Sequence, residues 1–271
     1  MYVDMHIHTT FSDGTNTPEE VVKIAKNKGL SLISVCDHES IGAYERLKPT
    51  CDLEGLKLVT GVEICAEWGG RNVHLLGYAI DLGNQALLEL LNSNQAEFNW
   101  QDRELIRKME RDFPKLSLDE FTSYEMPTGR GGWGAVNYIY DKGVSDSVFD
   151  SFKYYRRYEV SQLFGSIVKA CEVIKGAGGV PVLAHPGEYW AVDEIEEKLT
   201  NVLPTGISGL ECYHPSPGHT DAVVAKCVEF CKAHDLCITC GGDCHGDFAQ
   251  SYRGIGVMKI DSSLLNLKGI A

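Results

Sequence analysis

Two histidines one residue apart stand near the start of the chain, in Met5-His6-Ile7-His8. On a strand, residues two apart face the same side, so both imidazoles can reach one metal ion. The same residue types recur downstream as Asp37-His38, Glu63, His74, Ala184-His185-Pro186 and Asp243-Cys244-His245. Each lies in, or directly after, an apolar run that reads as a strand. Taken singly, each has a plain structural reading. A histidine can be a hydrogen-bonded core residue, and Ser12-Asp13-Gly14 is an ordinary turn sequence. Taken together they cluster at one end of the expected strands. Six histidines and several carboxylates gathered there are costly to bury unless something neutralises and orders them. Divalent metal ions do that.

The elements that must position them alternate. Residues 2–5 read as a strand. Thr17-Pro18-Glu19-Glu20 then supplies an N-cap, a proline at the first helical position and a capping-box glutamate. Val21, Val22, Ile24 and Ala25 form that helix's apolar face, and Gly29 is placed to end it. A strand at 32–36 and a helix at 41–47 follow. Strands at 58–65 and 72–80 are joined by the turn-like Trp68-Gly69-Gly70-Arg71. Residues 84–156 change character. They are polar and charged, with helical patterns at 86–91 and 103–109 and a glycine-rich piece, Gly129-Arg130-Gly131-Gly132-Trp133-Gly134. The alternation returns with helices at 162–175, 192–199 and 220–233 and strands at 180–184, 209–213 and 236–241. Strands alternating with helices imply parallel βα units, whose strand ends converge on one site. Seven such strands suit a barrel better than an open sheet. The expected organisation is a barrel in two parts, 1–83 and 157–271, interrupted by a helical insertion at 84–156.

Composition narrows the class. At 271 residues with 44% hydrophobic content, the chain can build one large core without disulfides. Its formal charge of −13 disfavours binding to duplex nucleic acid. No run approaches the ~20 apolar residues of a membrane span, and no signal peptide is read, so the expected location is cytoplasmic. Of ten cysteines, Cys36, Cys65, Cys171, Cys212 and Cys231 sit in apolar segments, where the reduced side chain acts as a small hydrophobe. Cys237 and Cys240 are three apart on an expected strand and face opposite sides, so they read as core residues.

The motifs also resemble a known family. His6-Ile7-His8-Thr9-Thr10-Phe11-Ser12-Asp13-Gly14, Cys36-Asp37-His38, Gly61-Val62-Glu63-Ile64, Ala184-His185-Pro186-Gly187 and Gly242-Asp243-Cys244-His245-Gly246 look like those of the PHP (polymerase and histidinol phosphatase) superfamily. The chain most resembles the branch acting on nucleoside 3′,5′-bisphosphates and RNA ends, which carries a comparable insertion. The resemblance implies a distorted seven-stranded (β/α) barrel holding two or three divalent ions. His6, His8, Glu63 and Asp243 would hold one, and Glu63, His74 and His185 a second. Asp13, His38 and His245 would hold a third. Mixed imidazole and carboxylate donors suit Mn, Fe or Zn. Asp37 has no ligand role in this scheme and reads as a supporting acceptor or turn residue.

The implied activity is hydrolysis of a phosphate monoester of a small metabolite, a nucleotide or nucleoside bisphosphate, by metal-activated water. Arg130 is the first candidate to bind phosphate, although a lone loop arginine is commonly just solvated. The histidine that follows the matching arginine in related enzymes is missing from Thr128-Gly129-Arg130-Gly131-Gly132. His214 could bind phosphate, protonate the leaving group, or be a rim histidine beside Pro215. Arg253 is a weaker phosphate candidate. His219 and His234 read as helix-end residues without a role. Trp133, Tyr138 and Tyr189 could stack on a base, but aromatics are commonly core. The alternatives are a histidinol-phosphate phosphatase, an amidohydrolase-type barrel and a non-catalytic, metal-stabilised interaction module.

Overall fold

The computed structural model describes residues 1–161, 164–248 and 252–271. Among the described residues, eight strands form one sheet: β1 (Tyr2–Ile7), β2 (Leu30–Val35), β3 (Lys57–Trp68), β4 (Arg71–Tyr78), β5 (Val180–Leu183), β6 (Gly209–Tyr213), β7 (Cys237–Cys240) and β8 (Ile260–Asp261). Their order is β7-β6-β5-β4-β3-β2-β1-β8, and the sheet curls into a nearly closed barrel. Two expectations need correction. The strands are eight, because the two-residue β8 pairs antiparallel with β1. Nor are all neighbours parallel, since β4 runs antiparallel to both β3 and β5. The reason is local: Gly69 and Gly70 adopt φ of +61° and +79° and turn the chain straight back, leaving no room for a crossover helix.

Eleven α-helices are described. In the first half, α1 is Pro18–Asn27 and α2 is Tyr44–Glu54. Thr17 makes the expected capping box with Glu20, and Gly29 follows the helix end at φ +76°. Between β4 and β5 lie α3 (Gln85–Met109), α4 (Leu118–Phe121), α5 (Gly134–Asp141), α6 (Val148–Ser151), α7 (Lys153–Arg157) and α8 (Ile167–Gly176). The patterns at 86–91 and 103–109 are two ends of the single helix α3. Asn84 caps its start, and no glycine or proline interrupts it. The helix expected at 162–175 is α8, and Gln162 and Leu163 lie outside the described residues. After β5 come α9 (Pro186–Tyr189), α10 (Ile195–Val202) and α11 (Asp221–Ala233).

The main core packs α8, α10 and α11 against the sheet, with Ile64, Leu75, Leu183 and Leu210 from the strands fully buried. Residues from Leu105 to Val160 build a separate core around Ile106, Met109 and Tyr138. Tyr138 is therefore a packing residue, its hydroxyl donating to Ser117 O. All ten cysteines are free and buried.

Closure of the barrel depends on Asp4 and on one glycine. The buried Asp4 carboxylate accepts from Gly242 N at 2.9 Å and Gly256 N at 2.7 Å, tying β1 to the chain after β7. Gly241 is where the two backbones meet, since a Cβ there would stand 2.1 Å from His6 Cβ. Gly241→Ala should therefore destabilise the fold by at least about 2 kcal/mol, as overpacking against backbone does. Urea unfolding would measure it, and an unchanged midpoint would contradict this account of closure.

Candidate metal centre

The centre is assembled from strand ends. β1 carries His6, and His8 follows it. Cys36 N donates to Ile7 O at 2.8 Å and His8 N donates to Cys244 O at 2.9 Å, so this end is pinned from both sides. Both imidazoles are fully buried, with their Nε2 atoms 3.1 Å apart. Glu63 comes from β3, and His38 from the loop after β2 bridges to it in parallel register. His74 lies near the start of β4, which the antiparallel turn returns to the same end of the barrel. His185, Asp243 and His245 follow β5 and β7. Glu39, His185 and Asp243 hold φ of +51°, +28° and +47°. Left-handed backbone at non-glycine residues costs free energy and collects at functional sites.

Glu63 is the hub. Its Oε2 lies 3.1 Å from Nε2 of His6, 3.1 Å from Nε2 of His8 and 3.3 Å from Nε2 of His38. Its Oε1 lies 2.9 Å from His74 Nδ1 and 3.2 Å from His185 Nε2. Asp243 Oδ1 is 3.2 Å from His8 Nε2, and His245 Nε2 is 3.2 Å from Asp13 Oδ2. Three sets of donors lie mutually within 4.8 Å: His6, His8, Glu63 and Asp243; His8, Asp13, His38 and His245; and His38, Glu63 and His74. Eight of the nine residues singled out as ligands fall in these sets, and the ninth, His185, joins them through Glu63. The geometry differs from the implied grouping in detail, because His8 joins the Asp13 set and His38 also stands beside Glu63 and His74.

The electrostatics suit cations. Burial opposes ionisation of Glu63, yet His38, His6 and His74 hold its carboxyl well below the usual range. Burial is likewise overcome at Asp13, where His245 and His38 lower the carboxyl. Burial would lower His6, but Glu211 and Glu63 outweigh it and raise the imidazole well above its ordinary value. Burial takes His38 down to about 3. The buried Nδ1 atoms of His8 and His185 have no hydrogen-bond partner. Buried imidazole nitrogens without partners, set among ionised carboxylates, fit divalent metals of the Mn, Fe or Zn type.

Supporting groups fix the ligands. Asp37 accepts from Thr9 N, Thr9 Oγ1 and Ser12 Oγ, each at 2.7 Å, which makes it the acceptor behind the His8–Asp13 loop. Sequence reasoning missed Glu211. It is fully buried on β6, 3.0 Å from His6 Nδ1, and it accepts from His185 N at 2.9 Å. Its signal was available: a lone carboxylate inside the apolar strand Gly-Leu-Glu-Cys-Tyr demands a partner.

The remaining candidates separate. His214 Nε2 is 3.4 Å from Asp243 Oδ2, so His214 belongs to the centre. Arg253 reaches both Asp243 Oδ2 and Glu188, the latter at 2.6 Å. Arg130 is tied instead to Asp141 at 2.5 Å and lies over the Tyr140 ring, because α5 places both residues beside it. His219, read as having no role, is buried and stands 3.3 Å from Ser216 Oγ, whose oxygen is 3.0 Å from His214 Nδ1. Tyr189 uses its hydroxyl to accept from His74 N at 2.8 Å.

Comparison with known proteins agrees with this geometry. Residues 4–170 match the family described as PHP domain. The chain is 28% identical to a phosphoribosyl 1,2-cyclic phosphate 1,2-diphosphodiesterase of Eggerthella lenta, over 92% of this chain and 96% of the relative. It is 27% identical to a 3′,5′-nucleoside bisphosphate phosphatase of Chromobacterium violaceum, over 94% and 90%. Among solved structures, one described as a metal-dependent phosphoesterase of Bifidobacterium adolescentis superposes with a TM-score of 0.82 at 26% identity, covering 99% of this chain and 94% of that one. An amidohydrolase of Chromobacterium violaceum with bound sulfate and no metal gives 0.77 at 25% identity, covering 91% and 88%.

Two outcomes are expected. Glu211→Gln should weaken metal affinity about 10- to 100-fold, as loss of a group orienting a ligand does. Chelator competition would read it, and undiminished affinity would contradict the role given to Glu211. Metal binding should also release protons. The carboxylates around His6 raise its imidazole and let it keep a proton above its ordinary range, and that proton must leave before the nitrogen can bind. Affinity should therefore rise with pH from 6 to 8 and fall as pH drops. Calorimetry in two buffers of different ionisation enthalpy tests this, and the absence of proton release would refute it.

Proposed function

The chain belongs to the PHP domain family and is a metal-dependent phosphoester hydrolase, and from that premise we propose that its substrate is the phosphate monoester of a nucleotide or nucleoside bisphosphate. The observation that carries the reading is the joint presence of nine metal-type donor residues, with Glu63 as their hub and all but His74 buried, and of a cation, Arg253, at their edge. His6, His8, Glu63 and Asp243 would hold one ion, Glu63, His74 and His185 a second, and Asp13, His38 and His245 a third. Ions so held would supply a nucleophile at neutral pH and offset charge developing on phosphorus oxygens.

The chain's own residues do the rest. Arg253 places its guanidinium in contact with the ligand set, and it would exchange its hold on Asp243 and Glu188 for a phosphate oxygen. His214 stands against Asp243 on the same side, its ring backed by Ser216. Burial keeps His214 neutral, at about 3, so it acts first as a hydrogen-bonding group and takes up a proton only when negative charge arrives. Arg130 is engaged elsewhere, and we assign it no phosphate contact. The sulfate in the Chromobacterium violaceum structure, a tetrahedral dianion like phosphate, accords with this reading of the shared fold.

The relatives cleave both monoesters and diesters, so the test spans both. Phosphate release by Mn-reconstituted protein would be measured on nucleoside 3′,5′-bisphosphates, mononucleotides, cyclic phosphates, histidinol phosphate, sugar phosphates and short RNA. We expect selective release from a nucleotide, reduced at least about a thousandfold by His8→Ala, the scale on which electrostatic stabilisation is lost. Preferred turnover of histidinol phosphate or of a cyclic diester would overturn the proposed substrate. Absence of any turnover in metal-loaded protein would overturn the hydrolase reading itself.

A further inference from the structure

The helices between β4 and β5 enclose a pocket of about 420 Å³ beside the loop that carries Asp13. That volume lies within the range of about 300–1,000 Å³ typical of small-ligand sites. The pocket adjoins the metal centre: Ser12, next in the chain to Asp13, lines it, and Trp133, also in its wall, has its ring 5.9 Å from that of His38. Gly132 N donates to Asp13 O at 2.9 Å, which fixes this wall to the metal-holding loop.

The lining has two chemistries. Phe98 and Trp133 stack at 4.5 Å with planes 14° apart, and Phe98 rests on Phe164 at 5.0 Å. A flat apolar surface braced from behind suits a planar ring. Facing the same pocket, Gln95, Asn99 and Arg103 follow one another at four-residue spacing along one face of α3. Neighbouring charged groups are already committed. Asp102 accepts from Ala135 N at 2.9 Å and from the Tyr155 hydroxyl, and Arg130 is held by Asp141. Arg103 is exposed and has no hydrogen bond or ion pair with any described residue.

We propose that this pocket binds the leaving group of the ester cleaved at the metal centre, and that this group is an aromatic ring bearing a second negative charge. The Phe98–Trp133 wall packs against the ring, and Arg103 pairs with the charge, with the Gln95 and Asn99 amides beside it. Arg103 thereby replaces Arg130 as the specificity-determining cation of the insertion. The inference rests on the phosphoester hydrolase reading, and its test separates the two.

The experiment compares wild-type and Arg103→Gln full-length protein in two assays. The first reads kcat and KM of the Mn-loaded enzyme with adenosine 3′,5′-bisphosphate and with ribose 5-phosphate, which lacks the ring and the second charge. The second reads binding of adenosine 3′,5′-bisphosphate to the metal-free protein by calorimetry. Loss of one charge-assisted contact should lower kcat/KM for the bisphosphate about 10- to 100-fold, through KM, and lower the ratio between the two substrates by a similar factor. Binding should weaken in step. Because Arg103 lies on an exposed helix face, a matching thermal melt of the variant would show that the fold is intact. Selective turnover of the bisphosphate that Arg103→Gln leaves unchanged overturns the pocket assignment while the hydrolase reading stands. Arg103-dependent binding without turnover of any ester supports the pocket and removes the hydrolase reading. No binding and no turnover overturns both.

Discussion

A carboxylate buried to 1% exposure sits at the centre of this molecule, ringed by five imidazoles at 2.9 to 3.3 Å. A buried anion costs several kcal/mol unless it is paired and hydrogen-bonded. Glu63 therefore dictates its surroundings. Histidines must arrive from four strands, and their own second nitrogens must be held or left free for a cation. Glu211 behind His6 and Asp37 behind the Asp13 loop answer that demand. So do three ligand-bearing turns with left-handed backbone, whose strain persists only because the surrounding structure over-determines it.

Much of this was legible in the sequence because it is local. His6 and His8 share a side by strand alternation, and Thr17-Pro18-Glu19-Glu20 announces its helix by capping chemistry. The position of ligand-type residues at strand ends survives small errors in where strands begin. What depended on distant partners was not legible. The turn-like Trp68-Gly69-Gly70-Arg71 announces the reversal from β3 into β4, but that β4 also pairs antiparallel with β5 depends on a strand beyond the insertion. Glu211 shows in the sequence only as a carboxylate in need of a partner, and which partner becomes clear only once β6 lies beside β5 and the curled sheet brings His6 of β1 to it. Arg130 looked free in a glycine-rich loop, and only the fold brings Asp141 to it, eleven residues on.

The insertion is tied to the centre more closely than its composition suggests. It has a core of its own, but Gly132 binds the Asp13 loop, and Asn94 on α3 donates to Cys65 O on β3, two residues from Glu63. Phe98 and Phe164 close over Cys65 at the same point. A barrel end built to gather cations and a helical cover built of aromatics thus meet at His38. On the proposed reading, the barrel would supply the reaction and the cover a surface that chooses among substrates.

The most direct test of the central claim is the metal content of purified protein, measured by mass spectrometry for the wild type and for Glu63→Gln after identical loading and desalting. The account predicts more than one divalent ion per wild-type chain and at most one in the variant, since a neutral amide cannot bridge two cations as the carboxylate does. A variant retaining the wild-type content would show that Glu63 is not the hub, and a wild type that holds none would show that the cluster is not a metal centre.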